Sequence, residues 1–332
     1  MTVKYKDFQL QIYSRGVMEG VQPNVTTDTR LLEKQARNAL GARSFNYVAG
    51  GAGEKATMDS NRLAFRQWKL IPMMWRQNLS VNIFSQEYPN PLLMAPVGVQ
   101  SLFHEDKETG LSGACVEVGV PYILSTASSS SIEDVARANG NSVGTQTGLS
   151  DPVFRAKYEK GSSSKLEEDI IGASRAWISS VYPGQPHKWE SFAFLRKNWD
   201  GPIVLKGIQH VEDANLALKA GCDGIVVSNH GGRQVDGVIG SLDLLPEIVE
   251  AVGNKMTVLF DSRIRTGADI VKALCLGAKA VLVGRPAIYS LAINGKLGAE
   301  SAMTLSGICT AAECTQDKIT KVHYPGEQKT TV

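Results

Sequence analysis

The chain has 332 residues, enough for a large buried core in one or two domains. Its composition, 43% apolar and 20% charged, is that of a globular protein. A net charge of +2 gives no electrostatic reason to expect nucleic acid or an anionic membrane as a partner.

No apolar run approaches a membrane span, and the start, Met1-Thr2-Val3-Lys4-Tyr5, lacks the apolar core of a signal peptide. The end, Lys329-Thr330-Thr331-Val332, is not a peroxisomal address, so a cytoplasmic location is expected. The five cysteines form no CxxC pair, which suits a reducing compartment and buried thiols rather than a metal site.

In chain order, residues 1–24 read as a polar N-terminal extension, 25–310 as one domain and 311–332 as a C-terminal tail. Residues 31–48 read as a single helix, broken by Gly50-Gly51-Ala52-Gly53. From residue 92 a theme repeats: a short apolar strand, a polar residue at its end, then an amphipathic helix. The strands are Leu92–Ala95, Tyr122–Ser125, Ile203–Lys206, Ile225–Ser228, Val258–Asp261 and Val281–Gly284. The helices include Gly110–Val118, Ile132–Ala138, Glu212–Ala220, Leu244–Val252 and Gly267–Leu276, with Ser128 to Ser131 as cap residues. Alternation of strand and helix predicts a parallel sheet. Polar chemistry follows six different strands, as at the C-terminal mouth of a TIM (β/α)8 barrel rather than at one switch point of an open sheet. Between Ser125 and Ile203 the spacing admits two more strands, yet Ala176–Val181 is the only candidate there. The expected fold is therefore an α/β TIM barrel whose third and fourth strands are lacking or divergent.

The densest signal is Gly224-Ile225-Val226-Val227-Ser228-Asn229-His230-Gly231-Gly232-Arg233. An apolar strand ends in an imidazole and, three residues on, a guanidinium. Arg can hold a carboxylate by its fork while His takes a proton. A buried His and a surface Arg in an ordinary loop are the plainer alternative. Lys206 ends another strand, where its ammonium can stabilise developing negative charge; a Schiff base or a structural ion pair are the other readings. Gly284-Arg285 and Asp261-Ser262-Arg263-Ile264-Arg265 close two neighbouring strands with backbone N–H groups and cations, the chemistry a phosphate requires. Tyr47 precedes the Gly-Gly break and reads either as a lid over the mouth or as a packed aromatic.

Taken together, Tyr47-Val48-Ala49-Gly50-Gly51-Ala52, Met94-Ala95-Pro96-Val97-Gly98, Ser125-Thr126-Ala127, Ile203-Val204-Leu205-Lys206-Gly207, Ser228-Asn229-His230-Gly231-Gly232-Arg233-Gln234 and Gly284-Arg285 resemble the FMN-dependent α-hydroxy-acid oxidases and dehydrogenases, the glycolate oxidase group. The resemblance covers roughly residues 25–310 and implies FMN as cofactor, an (S)-2-hydroxy acid or related metabolite as substrate, oxygen as re-oxidant and a homo-oligomer, a tetramer by family habit. It implies His230 as the base, Arg233 and Tyr47 on the substrate carboxylate, and Lys206 beside the flavin. Ala95, Pro96, Val97, Ser125 and Ser228 would contact the ring and ribityl chain. Asp261, Ser262, Arg263, Ile264, Arg265, Gly284 and Arg285 would hold ribityl and phosphate.

The chain departs from that pattern in three places. In the family, the strand after the Asn-Gly near Asn139-Gly140 carries Gln-x-Tyr, and the next carries Thr and Asp, followed by Arg. Here Asn141-Ser142-Val143-Gly144-Thr145-Gln146 runs straight on to Ser150-Asp151-Pro152. The loss is larger than a loop, since a βαβ unit takes about 30 residues. It would remove a second substrate Tyr, an Arg and the Asp that orients His230, and Gln146 is not assigned to the family Gln. A shorter gap would curtail the last barrel helix near Gly295–Ser301. Arg263 stands where the family usually has Gly. The chain thus reads as an FMN oxidoreductase, with a tailoring oxidase of specialised metabolism, an inactive or truncated isoform and a Lys206 aldolase as competing readings.

Overall fold

The computed structural model describes residues 5–71, 80–139, 152–161, 188–304 and 314–323, with single positions between 161 and 188. Four helices lead in: α1 (Tyr5–Glu19), α2 (Thr29–Ala39), α3 (Ala42–Ala49) and α4 (Ala56–Gln67). Two short antiparallel pairings frame the sheet. Strand β2 (Val81–Ile83) pairs with β3 (Gln86–Tyr88), and β1 (Trp68–Leu70) pairs with β9 (Ile319–Lys321) from the far end of the chain.

The central sheet is parallel, as expected. It runs in the order β4 (Leu92–Met94), β8 (Ala280–Val283), β7 (Thr257–Phe260), β6 (Gly224–Val227), β5 (Val204–Ile208). Between the strands lie α5 (Lys107–Glu117), α6 (Ile132–Asn139), α7 (Pro152–Gly161), α8 (Ser191–Asn198), α9 (Val211–Lys219), α10 (Ser241–Val252) and α11 (Gly267–Cys275). Helix α12 (Arg285–Thr304) follows β8.

Alternation along the strands separates two cores. Leu93, Ala95, Val226, Leu259 and Leu282 point to the barrel interior, where they pack with Ile83 and Phe84 of the β2–β3 hairpin. Leu92, Met94, Ile225, Val227, Val258, Phe260 and Val281 face the helix layer and join its larger core. Both faces of β6 and β8 are buried, which is why these strands read as continuous apolar runs. Phe65 of α4 meets Phe260 edge-on at 6.0 Å, a contact worth about 1 kcal/mol beyond area burial.

Several expectations need correction. The polar start contains α1, which lies against α12. The single helix over 31–48 is two, because the chain extends at Leu40 and Gly41 before α3 begins. The strand expected over Tyr122–Ser125 reduces, among the described residues, to bridge residues at Tyr122 and Ile123, with Tyr122 pairing in parallel with Met94. The last helix, α12, runs to Thr304 but is broken by a kink at Asn294 and Gly295, where Gly295 takes a φ of 54°. Most of residues 139–170 and of the strand candidate Ala176–Val181 lies outside the described residues, but Ala176 and Ser179, which are described, are helical and not strand. Among those that are described, β5 pairs only with β6, and Tyr122 marks the other margin beside β4. Six of the eight expected strand positions are thus accounted for, and among the described residues the sheet is not closed. One capping expectation holds: the Ser131 hydroxyl accepts from the Asp134 N–H at 3.1 Å and opens α6.

Candidate active site

The C-terminal ends of β4 to β8 surround a cavity of about 300 Å³. Its wall includes Tyr47, Ala95, Pro96, Val97, Ser125, Lys206, His230, Arg233, Asp261, Ser262, Arg263, Ile264, Arg265, Gly284 and Arg285. Every candidate from the sequence but Ser228 therefore reaches one cavity. Ser228 is buried immediately beneath, accepting from Lys206 Nζ at 3.1 Å and from the His230 N–H at 3.0 Å.

His230 is held by an unusual backbone. His230, Gly231 and Gly232 all have positive φ, at 54°, 65° and 73°. The glycines are required: a Cβ on Gly231 would meet Arg285 Nη1 at 2.7 Å, and one on Gly232 would meet Met58 Cγ at 2.8 Å. For His230 this conformation costs on the order of 1 kcal/mol, as strained residues at functional sites commonly do. A buried reciprocal amide pair sustains it. Asn61 and Asn229 each donate Nδ2 to the other's Oδ1 at 2.8 Å, and Asn229 Oδ1 also accepts from the Gly232 N–H. Ser262 Oγ accepts from the N–H groups of Asn229 and Gly231, which ties the β6 loop to the β7 loop.

Lys206 Nζ lies 3.0 Å from Asp261 Oδ2 and 3.4 Å from His230 Nδ1. Among the described residues no carboxylate hydrogen-bonds the imidazole, in keeping with the Asp that the resemblance finds lost. Enclosure in the cavity, then the Lys206 ammonium, bring the His230 pKa down to about 4. The imidazole is therefore neutral at pH 7 and free to accept a proton. Lys206 is engaged by a carboxylate and a hydroxyl, an arrangement that suits a fixed cation and not a Schiff-base amine.

The two outer arginines differ from expectation in what they hold. Arg233 Nη1 donates to the carbonyls of Tyr47 and Val48 at 2.7 and 3.3 Å, and its guanidinium lies 5.1 Å from the Tyr47 ring centre. The rest of its fork is left for an anion. Arg285 is tied down more completely: Nε donates to Val48 O, Nη1 to Gly231 O and Nη2 to Gly50 O, at 2.9, 3.0 and 2.7 Å. It staples the α3 exit to the His230 loop, with two of its five N–H groups to spare. Arg265 spends one Nη1 bond on its own neighbour, Ile264 O. Thr266 and Asp269 form a capping box at the start of α11 that fixes the backbone behind it.

Sequence reasoning missed Asn61, Phe103, Leu282 and Ile288. Asn61 is 168 residues from its partner Asn229, a separation no local pattern could reveal. Phe103, whose ring centre is 6.3 Å from that of Tyr47, and the two aliphatics carry only the ordinary signal of core residues.

A model of the FMN-dependent dehydrogenase family matches residues 36–152 and 142–307. The chain belongs to that family. An FMN-dependent alpha-hydroxy acid dehydrogenase of Penicillium citrinum is 51% identical, with 99% of each chain covered. An L-lactate oxidase of Lysinibacillus sphaericus is 36% identical over 82% of this chain and 84% of its own. The solved structure of mandelate oxidase with (S)-4-hydroxymandelic acid superposes with a TM-score of 0.73 at 32% identity, covering 90% of this chain and 99% of that one. The fold is thus the barrel of this family, and the protein is an FMN-dependent oxidoreductase of the 2-hydroxy-acid type. The Penicillium alignment spans 399 residues against 332 here, so at least 67 of its positions have no counterpart in this chain. The two family matches meet at 142–152, where the sequence departs from the pattern.

The residues present fit FMN. The cavity wall carries apolar Ala95, Pro96 and Val97, the Lys206 cation and two guanidiniums, Arg263 and Arg265, that have no ion-pair partner among the described residues. That is an apolar surface for a ring, a charge for its polar edge and donors for a phosphate.

Proposed function

We propose that the protein oxidises the α-carbon of a 2-hydroxy acid to the 2-oxo acid, with His230 as the base and dioxygen as the final acceptor. The observation that carries this reading is the neutral His230 imidazole and the half-engaged Arg233 fork opening on one cavity with Lys206. Flavin supplies the two-electron acceptor when bound. Arg233 would pair with the substrate carboxylate, and the exposed Tyr47 ring, stacked on that guanidinium, would donate its hydroxyl to the same anion or cover it. This fixes the α-carbon beside His230, which receives the substrate proton as the carbon gives up its electron pair. Lys206, positioned by Asp261 and Ser228, contributes positive charge at the cavity wall as negative charge accumulates there. Lys206 Nζ, 3.4 Å from His230 Nδ1, disfavours the imidazolium and so weakens this base.

The test is anaerobic mixing of the purified flavoprotein with a panel of (S)-2-hydroxy acids, following the flavin absorbance. Bleaching by at least one of them, and recolouring on admission of air, is expected. His230→Gln should keep the colour and slow bleaching by about 10²- to 10⁴-fold, the range for loss of a general base. Bleaching at an unchanged rate in that variant would remove His230 from the role.

A further inference from the structure

A second cavity, of about 700 Å³, lies outside the first against α2 and α4. It is lined by seven basic side chains and one carboxylate, Glu33. The whole chain carries 35 basic and 33 acidic residues, so this imbalance is local and not a reflection of composition. Arg263 and Arg265 line both cavities, so the outer chamber adjoins the first cavity at these two guanidiniums.

Three observations indicate that the chamber awaits an anion. Among the described residues, neither Arg263 nor Arg265 has a carboxylate within ion-pair distance, and the same holds for Lys34 and Arg62 on the chamber wall. Glu33, the one acid there, is already engaged, accepting from the Tyr289 hydroxyl at 3.2 Å. Burial, followed by the Arg62 charge, lowers the Arg263 pKa, so these cations are gathered against their own repulsion. Finally, Arg263 holds its guanidinium there from a backbone φ of 77°, a left-handed conformation that disfavours any side chain. A purely structural turn would not need an arginine at that position.

We propose that this chamber is a second phosphate-binding subsite, joined to the flavin-phosphate end of the first cavity through Arg263 and Arg265. The proposal rests on the flavin reading of the first cavity. The same phosphoryl chemistry has two sources: the second phosphate of a flavin dinucleotide, continuous with the flavin in the first cavity, or a separate oligophosphate held beside FMN. The volume accommodates a nucleotide, falling within the range of about 300–1,000 Å³ usual for ligand pockets.

The experiment uses the full chain and a double variant, Lys34→Ala with Arg62→Ala, both exposed residues that touch only the outer chamber. Apoprotein is titrated with FMN and with FAD by flavin fluorescence, and FMN-loaded protein is titrated with inorganic pyrophosphate by calorimetry. If the dinucleotide is the source, FAD binds to the parent chain and the double variant weakens it by about tenfold or more, leaving FMN unchanged. If a separate oligophosphate is the source, pyrophosphate binds the FMN-loaded parent saturably, weakens with added salt, and is lost in the variant. FMN binding with neither of these would overturn the subsite and leave the flavin reading intact. Failure of FMN itself would overturn the flavin reading; pyrophosphate is then titrated against the apoprotein, and the subsite stands or falls on its sensitivity to the double variant.

Discussion

At the scale of single residues, the site turns on one cation beside one imidazole. Lys206 Nζ is 3.4 Å from His230 Nδ1, and after enclosure in the cavity it is the main cause of the pKa of about 4. The acid limb of kcat/KM reports the free-enzyme base, so it should fall well below the ordinary imidazole value of about 6.5. Removing the cation in Lys206→Met favours the imidazolium, and the limb should move to higher pH. A limb that stays put or moves down would show that Lys206 does not set the basicity of His230. The same depression has a stability consequence with a definite sign. The unfolded chain takes up this proton near pH 6.5 and the folded chain only near 4, so His230 lowers stability progressively as pH falls through that window. Arg233 gives a separate prediction. Arg233→Met should raise KM for a 2-hydroxy acid by about tenfold to a hundredfold, the worth of a charge-assisted hydrogen bond. Its effect on the neutral methyl ester should be small, and equal losses on acid and ester would rule out the carboxylate clamp. Much of this was legible, because His230, Arg233 and Lys206 are chemically conspicuous at strand ends. Arg285 was legible as a site residue but not in its bonding. A Gly-Arg pair after a strand suggests an anion, and nothing in the sequence shows that three carbonyls already claim the guanidinium.

At the scale of elements, strands read well and connections read poorly. Apolar runs such as Ile225–Val227 are buried on both faces, so their composition alone marks them. The break between α2 and α3 was missed because Leu40 and Gly41 interrupt an otherwise continuous pattern with no proline to signal it. The pairing of β9 with β1 joins residues some 250 positions apart, and its three-residue strands are too short to show a period. The loop between β7 and α11 illustrates what local sequence can specify. Thr266 accepts from the Asp269 N–H, and the Asp269 carboxylate accepts from the N–H groups of Arg265 and Thr266. Asp269 therefore orients the Arg265 backbone while opening α11. Thr266→Ala removes half of this box and should cost about 1 kcal/mol, lowering the melting temperature by about 2 °C. FMN affinity should fall in parallel, since the same box shapes the loop. A melting temperature unchanged within error would mean that Asp269 alone sustains the cap.

At the scale of the whole molecule, the question is how a barrel functions with a quarter of its family's strands unaccounted for. The two family matches meet at residues 142–152, between the Tyr122 bridge and β5, on the far side of the sheet from β7 and β8. That placement fits a cavity whose described wall comes from β4 to β8, with no carboxylate hydrogen-bonded to His230 among the described residues. The strands that carry Asp261, Arg265 and Gly284 sit inside the sheet with neighbours on both sides, whereas Lys206 lies on β5, which pairs only with β6 among the described residues. Burial follows the same gradient: all of β6 and β8 is buried, but β5 buries fully only Ile208. Hydrogen exchange should therefore be graded across the sheet. Amides of Val204 to Lys206 are expected to exchange much faster than those of Ile225 to Val227 or Leu259 and Phe260, because opening an edge strand costs only part of the global unfolding free energy. Loading with FMN should slow Lys206 and its neighbours selectively, since the cofactor would contact that strand end and stabilise by mass action whatever conformation binds it. Uniform protection across β5, β6 and β7 without the cofactor would instead mean that the margin is covered, by another part of this chain or by a second copy. The site would then have to be described as that assembly's.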